Sequence, residues 1–357
     1  MRSSRCVRAS LALSALAWPI SAQAPPPAGL ALSGLIDGYY NLNFNHPASH
    51  RNQLRNFDVQ ADQFSLNMAK VTLEQSAEPL GLRLDLGFGR AFEIVHGTES
   101  APTVFRHIEQ AYISYKPPRA RGLQLDFGKH VTMAGAEVIE TSSNWNYSRS
   151  LLFAWAIPYY HFGLRASMPV GNRFSAGFHV VNGWNNVEDN NSGKTFGLSG
   201  SLKAGPVTWS NTYYAGPERT GTNEGWRHLY DTTLLVNGSR AGFYINYDYG
   251  VDRLPSGGGN VWYGVAGAAR FVITDHVSIA PRVEWFNDRD GFSTGAPRKL
   301  KEFTLTGEYK LAPGILGRLE YRRDWSDRPM FERGAAAGAF KRQDTLLAGL
   351  IACFGPR

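Results

Sequence analysis

Apolar and polar residues alternate along most of this chain with a period of two. In ALSGLIDGYYNLNF (31–44), Leu32, Gly34, Ile36, Gly38, Tyr40, Leu42 and Phe44 alternate with Ser33, Asp37, Tyr39, Asn41 and Asn43. In LGLRLDLGF (80–88), leucines and Phe88 alternate with Arg83 and Asp85. GFYINYDYG (242–250) and LGRLEYRRDW (316–325) repeat the pattern, the latter setting Leu319, Tyr321 and Trp325 against Arg318, Glu320, Arg322 and Asp324. Successive side chains of a strand point to opposite faces, so strict alternation over about ten residues predicts strands with one apolar and one polar face.

The pattern places strands near 31–44, 62–77, 79–90, 105–116, 121–130, 158–169, 173–183, 194–204, 206–215, 225–236, 239–250, 260–273, 276–287, 300–311, 314–325 and 341–354. In QFSLNMAKVTLEQ (63–75) the phase shifts near Met68 to Lys70, which predicts a bulge or a short loop helix. Strands of about ten residues or more suit a tilted membrane crossing, whereas globular strands cluster near five or six. Tight turns (Pro117-Pro118-Arg119, 169–172, Ala204-Gly205-Pro206, Asn237-Gly238-Ser239, Ala312-Pro313-Gly314) alternate with long polar gaps. Those gaps are 45–61, 92–104, 131–157, 184–193, 216–224, 251–259, 288–299 and 326–340. Short turns at one end and long loops at the other mark a transmembrane antiparallel β-barrel of about 16 strands, an all-β fold. A secreted soluble β-protein is the alternative, and it has no reason to keep that rhythm.

The N-terminus agrees. Arg2, Arg5 and Arg8 precede the apolar run Ala9 to Ala17, then Pro19 and Ser21-Ala22-Gln23-Ala24. This predicts a signal peptide over 1–24, cleaved after Ala22 or Ala24, hence export, and together with the barrel pattern a bacterial outer-membrane destination. Residues 25–30 form a short proline-rich leader, and 31–357 the barrel. The net charge is +7; without the three signal arginines the mature chain carries +4, too little to imply nucleic-acid binding. Of two cysteines, Cys6 lies in the signal and Cys353 has no partner for a disulfide. In DTLLAGLIACF (344–354), Leu346, Ala348, Leu350, Ala352 and Phe354 share one face, similar to the terminal signal read by the barrel-assembly machinery. Gly355-Pro356-Arg357 follow the phenylalanine. Tyr40, Trp209, Trp226, Trp285, Tyr309 and Trp325 fall near strand ends, where lipid and lipopolysaccharide headgroups meet aromatic girdles.

The segment GKHVTMAGAEVIETSSNWNYSRSLLFAWAIPYYHFGLRA (128–166) resembles the OmpL-like beta-barrel porin-2 family of outer-membrane porins. LSGLIDGYY, LDLGFG, EQAYISYK and VVNGWNN are similar to the same family, and the resemblance covers nearly all of the mature chain. It implies a porin in the outer membrane with no catalytic motif to carry over; the leading expectation is a passive diffusion channel for small hydrophilic solutes that needs no cofactor.

Sixteen strands enclose an aqueous channel. By analogy with general porins, the third and longest gap is expected to fold inward and narrow the pore. Glu137 and Glu140 would be its acids, and Asn144, Asn146, Tyr147 and Arg149 its polar knot. Arg83, Asp85, Arg165, Arg282, Arg318 and Arg322 are the expected lumen wall, because an Arg facing mid-membrane lipid costs about 2–4 kcal/mol. An acidic loop opposite a basic wall would orient polar solutes. The apolar run Leu151 to Ile157 would either join a homotrimer interface or enter the lipid band at the start of strand six. Tyr39, Tyr112 and Tyr244 could form an aromatic slide in a solute-specific channel or receptor. An outer-membrane enzyme is disfavoured, since no GxSxG or other nucleophile–base motif is present. No metal site is expected: the nine histidines show no H-E-x-x-H spacing, and Asp189-Asn190-Asn191-Ser192-Gly193 lacks the later glutamate of a calcium loop.

Overall fold

Two-faced strands of this length bury neither face unless they close into a ring, and the protein does so. The computed structural model describes residues 29–99 and 103–355. The expected signal peptide and Pro25 to Pro27 lie outside the described residues. The first strands are β1 (Ala31–Asn43), β2 (Gln63–Gln75), β3 (Leu80–Phe88), β4 (Ile108–Tyr115), β5 (Gln124–Val131) and β6 (Tyr160–Val170). Next come β7 (Phe174–Val181), β8 (Thr195–Ala204), β9 (Val207–Pro217), β10 (Trp226–Asn237), β11 (Ala241–Arg253) and β12 (Gly259–Val272). The series ends with β13 (Val277–Asp288), β14 (Arg298–Ala312), β15 (Ile315–Ser326), β16 (Phe331–Arg333), β17 (Ala336–Phe340) and β18 (Arg342–Phe354).

Among the described residues, β1 to β15 and β18 form one closed antiparallel barrel of 16 strands, while β16 and β17 make a separate hairpin in the last long loop. β1 pairs with β18 from Gly34↔Phe354 to Asn43↔Thr345, which closes the ring and removes every barrel edge. Tight turns join strands at one end; Gly205 and Gly314 hold two of them at φ of 59° and 87°. The long gaps carry structure of their own, including helix α1 (Arg90–Val95) and helix α2 (Leu151–Trp155). The expected gap at 251–259 shrinks to 254–258, because β11 and β12 stay paired out to Arg253↔Gly259. The phase shift in β2 is a bulge at Asn67: Asp37 faces Met68 and Gly38 faces Leu66. The extra residue turns Asn67 inward, where its Nδ2 donates to Asp37 at 2.8 Å.

Burial is inverted relative to a water-soluble protein. Phe64 is 84% exposed on the outer face, as are many outward aliphatic and aromatic side chains, while inward Asp37, Asp85 and Asp248 are fully buried. The girdle aromatics divide by end. Trp209 and Tyr309 sit near the turn end, and Trp226, Trp285 and Trp325 near the loop end. Leu319 is outward and exposed in the middle stretch of β15. Leu319→Arg is expected to cost about 2–4 kcal/mol in bilayers, read as a lowered urea midpoint in lipid vesicles. An unchanged midpoint would contradict a lipid-facing assignment for this side.

Candidate functional site

The 132–159 segment between β5 and β6 (L3) lies inside the ring. An irregular segment cannot satisfy its own carbonyls and amides, so side chains must do it. Three inward arginines supply the donors. Arg318 gives Nη1 to the carbonyls of Thr141 (2.8 Å) and Asn146 (2.9 Å), and Nη2 to Asn144 (2.6 Å). Arg282 gives Nη1 to the Ser148 carbonyl (2.8 Å), and Arg322 gives Nη1 to that of Arg149 (2.5 Å). Carboxylates receive the amides: Glu320 accepts from Tyr147 N (2.6 Å) and Ser148 N (2.9 Å), and Glu284 from Leu152 N (3.2 Å).

The two loop acids meet cations on different parts of the wall. Glu137 pairs with Arg282 at 2.7 Å and also accepts from Ser150 N at 2.6 Å. Glu140 pairs with Lys70 of β2. Burial alone would raise the Glu140 carboxyl; the Lys70 ammonium outweighs it and holds the group below the ordinary glutamate range. Lys70 is also 2.9 Å from Glu109 and 3.4 Å from Asp85. These carboxylates converge closely enough to hold a cation, and the Lys70 ammonium is that cation. Sequence reading missed Lys70 because it lies just past the bulge, where the face of β2 is ambiguous.

The polar knot fastens the loop to itself and to the wall. Asn144 is folded against Val138, accepting from its amide (3.0 Å) and donating to its carbonyl (2.8 Å). Asn146 donates to Thr306 Oγ1 (2.7 Å) and the Ala280 carbonyl (3.0 Å). The Tyr147 hydroxyl donates to Asp37, and its ring packs edge-on to Tyr39, over Gly349. Burial, then the Asp37 charge, pushes the Tyr147 phenol well above its usual value. Arg149 wraps its own loop, donating to Val138, Ile139 and Tyr147 carbonyls, and stacks 4.4 Å from the Phe57 ring. Burial draws its guanidinium down from its ordinary value, against the opposing pull of Glu137 and Asp37. Glu137, Asn144, Asn146, Tyr147 and Arg149 are all buried, and Glu140 is partly exposed.

The apolar half of L3 corrects both sequence expectations for Leu151 to Ile157. Helix α2 points into the barrel, neither at lipid nor at another subunit. Ser150 caps it by accepting from Phe153 N at 2.9 Å. Leu151, Leu152, Phe153 and Ile157 form an interior core with Phe57, Tyr159, Trp262, Phe286, Leu347 and Ile351. Gly264 is required beneath it, since a Cβ there would stand 2.6 Å from Leu152 Cδ2. Tyr39 and Tyr244 are covered by L3 through Tyr147 and Trp145, so with Tyr112 they make no continuous aromatic slide.

Two expected wall arginines donate to none of these carbonyls, though Arg165 Nη1 reaches Met133 Sδ of L3 at 3.7 Å. Arg83 pairs with Asp85 (3.1 Å) and Glu74 (3.4 Å). Arg165 forks onto Asp126 at 2.7 and 3.0 Å and stacks 5.5 Å from Tyr112. It borders a cleft of about 270 Å³ on the inner side of β5 to β8, lined also by Gln124, Asp126, Ser167, His179 and Ser199. The wall is therefore not a bare basic patch. Every expected arginine has a carboxylate beside it, and Asp85, Glu302 and Glu308 interleave with them.

A closed sixteen-strand barrel, apolar outside and charged within, is the architecture of an outer-membrane channel. The chain belongs to the family described as "Putative beta-barrel porin-2, OmpL-like", whose family model matches residues 29–354. No curated protein matches it in sequence. Among solved structures it is similar to the trimer form of in-vitro folded OmpT from Vibrio cholerae, at 12% identity and a TM-score of 0.61, over 91% of this chain and 99% of that one. An anion-selective porin from Comamonas acidovorans gives 10% identity and 0.61, again over 91% and 99%. The outer membrane channel DcaP of Acinetobacter baumannii gives 12% and 0.58, over 92% and 97%. At such identities the likeness is one of fold.

Proposed function

We propose that the protein passes small hydrophilic solutes by diffusion, and that L3 narrows the path to the β5–β8 side of the barrel. The observation that carries this reading is the unequal use of the wall. Arg282, Arg318 and Arg322 are spent on holding L3, and an apolar core fills the space around α2. Arg165 and Asp126 instead face a cleft whose lining mixes Gln124 and serine hydroxyls with Met133, Met168 and Pro169. A solute in that cleft meets a fixed cation and a fixed anion side by side. This favours dipolar or small charged molecules over apolar ones. Glu137 and Glu140 act here as fasteners of the loop, and Arg165 and Asp126 as the groups a solute meets.

The remaining expectations fit this reading as proposals. Residues 1–24 would direct export. The outer apolar band would contact lipid, and β18 would engage the assembly machinery. A homotrimer, as in the OmpT trimer form, would use the outer strand faces, because Leu151 to Ile157 are enclosed. No catalytic step is proposed.

Planar-bilayer recording of the purified protein tests the channel, and absence of ion conductance in every reconstitution would sink it. Arg165→Glu tests the path. It is expected to shift the reversal potential in a KCl gradient toward cation preference, since it reverses the one guanidinium placed at the cleft. An unshifted potential in Arg165→Glu would move the path elsewhere on the wall.

A further inference from the structure

Three histidines from three successive strands meet on the inner wall beside the cleft. His130 of β5 stands directly across from His161 of β6, and His179 comes from β7. The His130 ring lies 6.1 Å from each of the other two, centroid to centroid. All three are buried. His161 Nδ1 is 2.9 Å from the Gly183 carbonyl, and His130 Nδ1 is 3.3 Å from the Val131 carbonyl. A carbonyl can only accept, so each Nδ1 carries the hydrogen and each Nε2 of the neutral ring keeps its lone pair. Among the described residues, neither His130 Nε2 nor His161 Nε2 has a hydrogen-bond partner. Buried acceptors are seldom left so, and two of them side by side call for a shared partner. Imidazoles whose Nδ1–H is fixed on a carbonyl and whose Nε2 is free are prepared as metal ligands.

We propose that His130 and His161 bind one first-row divalent transition cation of the zinc type, with water completing its shell. Directly opposed residues of an antiparallel pair have Cβ atoms about 4.5–5.5 Å apart, which lets both Nε2 atoms reach one ion at about 2.0–2.1 Å. His179 lies beside the pair without completing a three-ligand set; among the described residues, the group of three such ligand atoms within 4.8 Å of one another is Asp85, Glu109 and Glu140. The two ring nitrogens of His179 lie 3.5 Å from Ser199 Oγ and from Tyr214 Oη, both at the limit of a hydrogen bond. Gly197 on the next strand lets Tyr214 and His179 pack closely, since a Cβ there would stand 2.5 Å from Tyr214 Cε1 and 3.0 Å from His179 Cβ. Because His179 also lines the cleft, an ion has a route in from water. The nearby Arg165 charge is balanced by its fork on Asp126. An all-imidazole set favours zinc, copper or nickel and gives calcium or magnesium no oxygen ligand.

Calorimetric titration of the untagged, folded full chain with ZnCl2, after metal stripping, tests this. One zinc per chain is expected, with no heat from MgCl2. The double variant His130→Gln/His161→Gln should weaken zinc binding on the order of a hundredfold, since losing ligands costs no less than losing their outer-shell partners. Should that variant fail to fold, X-ray absorption of the zinc-loaded native chain counts the imidazoles instead. At least two nitrogen-bound imidazoles support the site. Absence of zinc binding, an oxygen-only shell, or full affinity in the folded double variant overturns it. The readout needs no ion flow, so it fails or succeeds separately from the diffusion pathway.

Discussion

Arg282→Ala is expected to destabilise the folded protein by about 3–5 kcal/mol, the cost of removing one member of a buried charge network. The side chain is fully buried, with Glu137 at 2.7 Å, Glu302 at 3.2 Å and Glu284 at 3.4 Å. Its loss leaves three carboxylates facing one another, and it takes the donor from the Ser148 carbonyl as well. The measurement is the urea midpoint in detergent or vesicles, beside Arg83→Ala as comparison. Arg83 holds no part of L3 and its carboxylate Asp85 keeps Lys70 and Gln110, so the comparison variant should lose much less. Equal midpoints for the two variants would mean that L3 is not clamped by Arg282.

Phe153→Ala should cost about 3–5 kcal/mol by leaving a cavity in the interior core. Phe153 packs against Phe57 at 5.7 Å and Tyr159 at 5.5 Å between ring centroids, tying L3 to the first long loop. That loop is itself held by Arg55, which pairs with Asp58 and, at 2.7 Å, with Asp324 of β15. Damage is therefore expected in the loops and not in the ring. Limited proteolysis should cut Phe153→Ala within 132–159 while the strands stay protected, and single-channel current should become larger and noisier. A variant as protease-resistant as the native chain would show that α2 contributes little to holding L3.

The ring was legible in the sequence because lipid imposes a strict rule on one face of every strand. β1, β10, β13, β15 and β18 each begin and end within one residue of their expected limits. Where lipid stops, the rule stops. β11 continues to Arg253 beyond the apolar stretch, held by pairs such as Arg227 with Asp252 at 3.1 Å, and a polar strand end reads as a loop. The interior was less legible for a related reason. Inward residues answer to one another across strands, and spacing along the chain carries no record of that. His130, His161 and His179 are far apart in sequence, and only the register brings them together. Leu151 to Ile157 misled because an apolar run in a membrane protein suggests lipid. Its partners Trp262, Phe286 and Ile351 are themselves apolar residues turned inward.

The inverted faces also bear on when the lipid-facing surface comes into being. No helix among the described residues is long and apolar enough to cross a bilayer. The strands mostly alternate apolar with polar residues, and consecutive runs of large apolar residues such as Leu346-Leu347 and Leu234-Leu235-Val236 are short. The surface that will dissolve in lipid exists only once β1 has found β18. Closure thus decides what the apolar residues do: scattered along the chain, they become one continuous outer band when the ring is complete.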